Sequence, residues 1–176
     1  MIGEATGYLL AKSSLKPIRN IGLFIMFITL VQLFEALVYK RAVSIRLLSI
    51  LMQANLGLQG LVFFALVKPW SIYFWICAAV SAYVVLDALT TMHPITLTNH
   101  LRWHMTSAVS WLLRASYLLI ILFCLLTPAY RIVFYLFVGM LLVSSCISYF
   151  FTKYNPSLWC LTSALGSPLL LFFTPK

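Results

Sequence analysis

The sequence predicts an all-α protein, a polytopic transmembrane helical bundle of about six spans with a kinked or re-entrant last span. Three observations predict it. Hydrophobic residues make up 63% of the chain and charged residues only 9%, where a soluble domain carries roughly a quarter. The mean hydropathy is +1.03. Apolar runs of spanning length also recur along the 176 residues, each close to the ~20 residues that a bilayer core requires. Residues 1–20 read as an interfacial N-terminal segment and residues 21–176 as a single transmembrane helical domain.

The charge balance fits this class. Net charge is +9, from 12 Lys and Arg against 3 Asp and Glu. The basic residues fall between apolar runs, at the level of phosphate headgroups. No basic face of useful area is left for nucleic acid, which is excluded as a partner. The lipid bilayer is the partner that composition demands. Short helices with almost no loops also suit a homo-oligomer or a larger membrane complex. Positive residues divide almost evenly between the two sides of a six-span arrangement, so the positive-inside rule assigns no orientation.

In the lead-in, Lys12, Lys16 and Arg19 follow a short apolar patch. A cleaved signal peptide has the opposite order, so none is expected. The first span is Ile21–Tyr39, where Gln32, Glu35 and Tyr39 share one helical face. A carboxylate deep in lipid costs about 2.5–3.5 kcal/mol, so this face turns toward other helices.

The second span, Leu47–Val67, carries Ser49, Gln53, Gly57 and Gly60 at helical spacing, a smooth stripe suited to close packing. Asn55 and Gln59 add amides off that line. Lys68-Pro69-Trp70 ends the span, with Trp70 as an interfacial anchor. The third span runs from Ser71 to about Leu89, with Tyr83 and Asp87 one turn apart near its end. The fourth covers Ser107–Leu126 and places Ser110, Arg114 and Tyr117 on one face. Arg114 is placed to snorkel or to pair with Glu35 or Asp87. The fifth is Ile132–Phe151. The sixth, about Leu158–Phe173, is interrupted by Gly166-Ser167-Pro168.

Most of the chemistry-bearing residues outside the spans lie between Asp87 and Met105. That stretch holds all three histidines, His93, His100 and His104. On a helix, His100 and His104 project from one face, a spacing able to hold a metal or a haem. The zinc-protease pattern is absent, because Leu101 and not Glu follows His100. Hydrogen bonding of the three imidazoles to headgroups is the simpler alternative. The four cysteines (Cys77, Cys124, Cys146 and Cys160) sit in apolar runs without a CxxC pair and read as buried thiols. No base lies near Cys160 in sequence, so nothing marks it as a nucleophile.

The run His93-x6-His100-Leu101-x-Trp103 resembles the haem-binding helix of complex II membrane anchors, with Pro94 and Asn99 as departures. Haem ligation by His93 or His100 is what that resemblance implies, although such anchors have three spans. HPITLTNHL (residues 93–101) is similar to the arginine-bearing helix of ATP synthase subunit a, with His100 where the arginine would stand and Arg102 displaced by two. A broader resemblance covers most of the chain. Glu4-Ala5-Thr6, Gln32-x-x-Glu35, Leu58-Gln59, His100-Leu101-x-Trp103 and Ser157-Leu158-Trp159-Cys160 look like an uncharacterised family of multi-pass membrane proteins of large DNA viruses and protists. Gly60 stands where that family has proline, and the family's cysteine-tryptophan start is missing. That resemblance implies no activity.

Three functions follow as expectations. The first is a small channel- or transporter-like protein, with Glu35, Gln32, Gln53, Asp87 and Arg114 forming an ion, proton or polar bundle site. The second is a non-catalytic membrane subunit or assembly component whose polar residues hold helices together. The third is a membrane-embedded haem or metal redox protein using His93, His100 or His104. No cofactor is the leading expectation, with haem or a metal as the alternative.

Overall fold

The computed structural model describes residues 2–40, 44–91, 95–97, 101–103, 106–135, 138, 139 and 168. Five α-helices carry most of them: α1 (Ile2–Ala11), α2 (Lys16–Tyr39), α3 (Ile45–Val67), α4 (Ile72–Thr90) and α5 (Ser107–Leu126). A two-stranded antiparallel ribbon, β1 (Ile95–Leu97) and β2 (Leu101–Trp103), separates α4 from α5, with Thr96 opposite Arg102. A 3-10 turn, Pro128–Tyr130, follows α5.

Three helices among the described residues, α3, α4 and α5, are long and apolar enough to cross a bilayer. This is fewer than the six spans expected. The first expected span is helical throughout, but it lies inside the longer α2, which begins at Lys16. Most of the fifth span and nearly all of the sixth fall outside the described residues. Pro168, the one described position in the sixth, sits in a turn.

Each of the three long helices starts on a hydroxyl. Ser44 Oγ accepts from the Leu47 amide at 3.3 Å, Ser71 Oγ from Phe74 at 3.2 Å and Thr106 Oγ1 from Val109 at 3.2 Å. These bonds satisfy one of the otherwise orphaned amides in each first turn. Pro69 stops α3 because it disfavours helical geometry at Lys68. Trp70 takes φ 61°, in the left-handed region, and Ser71 closes the turn by donating to the Lys68 carbonyl at 2.8 Å. At the far end of α4, Thr91 Oγ1 donates back to the Asp87 carbonyl at 2.5 Å.

The chain divides into two compact units, one of residues 1–29 and 121–176, the other of residues 30–120. In the first, α1 folds back along α2 through the loop Lys12–Leu15. The contact is backbone on backbone: a Cβ at Gly22 would press on the Ala11 nitrogen and lie 2.6 Å from the Gly7 carbonyl oxygen. Glycine is the side chain that permits this approach. Asn20 and Tyr130 are buried here with their side chains near one another, and Tyr130 packs on Phe123 with ring centroids 5.8 Å apart.

In the second unit, α3 and α4 form an antiparallel hairpin. Gly57 of α3 meets Val84 of α4, Gly60 meets Cys77, and the Phe64 and Tyr73 rings stack with centroids 5.5 Å apart. Val84, Val109 and Leu113 form a buried cluster that joins α4 to α5, with Leu56 and Val80 packed against it.

Candidate functional site

The polar residues of α3 form a seam against α4 and α5. Ser49, Gln53, Gly57 and Gly60 are all buried, as their helical spacing predicts. The stripe is smooth for a physical reason: a Cβ on Gly57 would lie 2.7 Å from Val84 Cγ1, and one on Gly60 3.0 Å from Cys77 Sγ and 3.2 Å from Ser116 Cβ. At Gly60 all three helices meet, with the Ser116 hydroxyl beside the Cys77 thiol.

Hydrogen bonds knit the seam at three levels. Nearest the β1–β2 ribbon, Gln53 Nε2 donates to Asp87 Oδ2 at 2.8 Å. One turn along, Ser81 Oγ donates at 2.7 Å to the Gly57 carbonyl across the helices and at 2.7 Å to the Cys77 carbonyl of its own helix. Toward α5, the Tyr117 hydroxyl donates to Gln59 Oε1, while Gln59 Nε2 donates to Asn55 Oδ1 at 3.1 Å. Gln59 is only 1% exposed, so its amide bridges α3 to α5 out of reach of water.

The depth of the Asp87 pair follows from helix rise. Gln53 is fifteen residues from Lys68 and Asp87 fifteen from Ile72, or ~22 Å from the Lys68–Ser71 turn at 1.5 Å per residue. The pair therefore lies toward the ribbon end of the hairpin, and β1 packs against α3 there. Asp87 is the carboxylate of this seam, and a neutral amide, not a cation, faces one of its oxygens.

Of the residues expected to form the polar site, Gln53 and Asp87 are brought together. Gln59 is the partner of Asn55 on the second polar line of α3. Gln32 and Glu35 lie on α2, but their side chains fall outside the described structure. Arg114 does not pair with Asp87; it is exposed, with its guanidinium 5.3 Å from the Trp111 ring centroid. The cause is helical phase, since Val109, Leu113, Ser116 and Ile120 form the buried face of α5. Tyr117 adjoins that face and reaches Gln59, a link the sequence reading missed. Its signal is the i, i+4 spacing of Asn55 and Gln59, a second polar line beside the first.

His93, His100 and His104 lie outside the described residues. The three residues between His100 and His104 form strand β2, so the helical geometry that would align the two imidazoles is not formed there. Among the described residues no group of three His, Cys, Asp or Glu side chains could hold a metal. Cys77 and Cys124 are buried free thiols. In comparisons with known proteins, the chain matches no family model, no curated protein and no solved structure.

Proposed function

We propose that this chain is a multi-pass integral membrane protein that serves as a non-enzymatic, helix-packing component of a membrane assembly, either a homo-oligomer or a larger complex. One observation carries the reading. The polar groups of the α3–α4–α5 seam bind one another: Gln53 with Asp87, Ser81 with Gly57, Tyr117 with Gln59 and Gln59 with Asn55. Polar residues used in this way hold transmembrane helices together. Exposed Trp75, Leu86, Trp111, Leu118 and Leu122 suit contact with lipid on the outer faces of the same helices. The resemblance to a viral and protist membrane family is consistent with this reading and adds no activity to it.

The test is purification in a mild, lipid-containing detergent with the mass of the intact particle measured. A stoichiometric partner or a defined oligomer is expected. A monodisperse lone monomer overturns the assembly role.

A second reading has a specific observation in its favour. Asp87 is a carboxylate near one end of a span, beside the ribbon segment that holds the histidines, and such residues often mark proton or cation paths. In that case liposomes containing the protein show a pH- or cation-dependent flux that Asp87→Asn abolishes while the particle mass stays unchanged. A visible spectrum of the same sample tests the haem alternative through a Soret band.

A further inference from the structure

Four exposed cations lie toward one end of the unit formed by residues 1–29 and 121–176, and Glu4 is the one acid among the described residues of that unit. Lys16 and Arg19 lie in the first turn of α2. Lys12 opens the α1–α2 loop, and the Gly22–Ala11 backbone contact places it within about two turns of the α2 start. The proximity of the buried Asn20 and Tyr130 side chains brings a distant segment to the same level. Arg19 and Arg131 are the immediate neighbours of these two residues, so Arg131 joins the cluster. All four cations are exposed. The sequence has no acid between Glu4 and Glu35, nor any after Asp87. Glu4 is eight residues back along the chain from Lys12, ~12 Å away at helical rise.

Apolar side chains surround this end. Tyr8, Leu9 and Leu15 are 52%, 55% and 44% exposed. Lys12 Nζ lies 4.3 Å from the Tyr8 ring centroid, so the ammonium itself rests over an aromatic face at this end. Arg131 is steadied by donating from Nε to the Leu125 carbonyl at 3.4 Å, which leaves its terminal nitrogens for another acceptor. A ligand fitting this arrangement has a phosphate at the level of the cations and hydrocarbon beside it.

We propose that Lys12, Lys16, Arg19 and Arg131 form a binding surface for the headgroup phosphate of anionic phospholipids. The inference rests on the membrane-embedded reading above. Basic residues near a membrane each favour anionic lipid by about 1 kcal/mol, on the order of fivefold per residue. Four such residues around one point select an anionic lipid over a zwitterionic one and fix which headgroup layer this end occupies.

The test uses the full chain in detergent micelles, titrated with phosphatidylglycerol or phosphatidylcholine and followed by intact-complex mass spectrometry. The unmodified chain is expected to retain phosphatidylglycerol preferentially. The quadruple variant Lys12→Gln, Lys16→Gln, Arg19→Gln, Arg131→Gln should lose that preference by 100-fold or more, on the order of fivefold per cation. The charge-keeping set Lys12→Arg, Lys16→Arg, Arg19→Lys, Arg131→Lys should retain it, which separates charge from folding. Equal retention of the two lipids by the unmodified chain, or a preference that survives the Gln set, overturns the proposal. Complete displacement of phosphatidylglycerol by millimolar inorganic phosphate would assign the surface to free phosphate instead. Failure of the chain to enter liposomes at all would strike the membrane reading and is read separately, by flotation.

Discussion

The amide of Gln53 donates to the carboxylate of Asp87 at 2.8 Å, joining α3 to α4 across thirty-four residues of sequence. Gln53 is buried and Asp87 half-buried. Replacing Asp87 by an apolar residue strands the buried Gln53 amide, which costs more than the bond itself contributes. Interhelical hydrogen bonds within membranes average about 0.6 kcal/mol and reach about 1.7. Gln53→Leu should therefore destabilise the protein by about 1–2 kcal/mol, whereas Asp87→Asn, which keeps an acceptor for the amide, should cost less. Denaturant unfolding in detergent micelles measures both; equal stabilities of Gln53→Leu and the unmodified protein would contradict the pairing.

Gly57 faces Val84 so closely that a Cβ would lie 2.7 Å from Cγ1 and 2.9 Å from Cβ of the valine. Gly57→Ala should cost about 1–3 kcal/mol through overpacking. Because the obstacle is one side chain, Val84→Ala on the same background should recover much of the loss. A double-mutant cycle reads this as a coupling above the additive sum. Simple additivity would place the two residues out of contact.

At Gly22 the obstacle is backbone, namely the Gly7 carbonyl oxygen and the Ala11 nitrogen. No side-chain truncation can make room there. Gly22→Ala should loosen α1 from α2 without unfolding α3–α5. Amide hydrogen exchange should then rise across Ile2–Ala11 and stay unchanged across Ile45–Val67. A uniform rise in both segments would count against this local effect.

Tyr117→Phe removes the donor to Gln59 Oε1 and leaves a carbonyl oxygen buried without it. The expected loss is about 1–2 kcal/mol. Adding Gln59→Leu should restore part of it, because the stranded acceptor is then gone. Thermal unfolding of the single and double variants decides the matter; a double variant that is less stable than Tyr117→Phe by the full cost of Gln59→Leu would refute the bridge.

Burial pushes the Tyr130 hydroxyl above its ordinary value, with the Asn20 hydrogen bond acting the other way and a smaller upward push from Cys124. The folded state therefore favours the neutral phenol. Its contribution to stability is complete below the unfolded value near 10 and is lost as pH rises through the folded value. Unfolding measured from pH 8 to pH 11 should show a decline beginning near pH 10 that is smaller in Tyr130→Phe. An unchanged decline in that variant would assign it to other groups.

Helix boundaries were legible because each break has a local chemical cause. The expected fourth span and α5 share the limits Ser107 and Leu126, and the second and third differ from α3 and α4 by two residues or fewer at each end. Ser71 and Pro69 mark those ends in the sequence itself. Gln53, Gly57 and Gly60 were legible as a packing stripe, because period 3.6 places them on one face. Their partners were not. That Gln53 meets Asp87 depends on the register of two antiparallel helices, which the Lys68–Ser71 turn sets and no local pattern encodes. The ribbon at Ile95–Trp103 was also missed, since His100 and His104 were considered only for the case of a helix. Leu101, Arg102 and Trp103 pair instead with Ile95, Thr96 and Leu97.

Ser44, Ser71 and Thr106 each close the first turn of their own helix from one residue outside it. None of the three caps borrows a group from a neighbouring helix. Each of these three helices is thus finished at its leading end before it touches another, and docking has only side faces left to match. Synthesis can proceed in the same order, with α3 and α4 complete as a hairpin while α5 is still unmade. A nascent chain in which Thr91 has cleared the ribosomal exit tunnel can already hold the Gly57–Val84 contact and the Gln53–Asp87 bond, and awaits only the hydroxyl of Tyr117 to bind the Gln59 carbonyl.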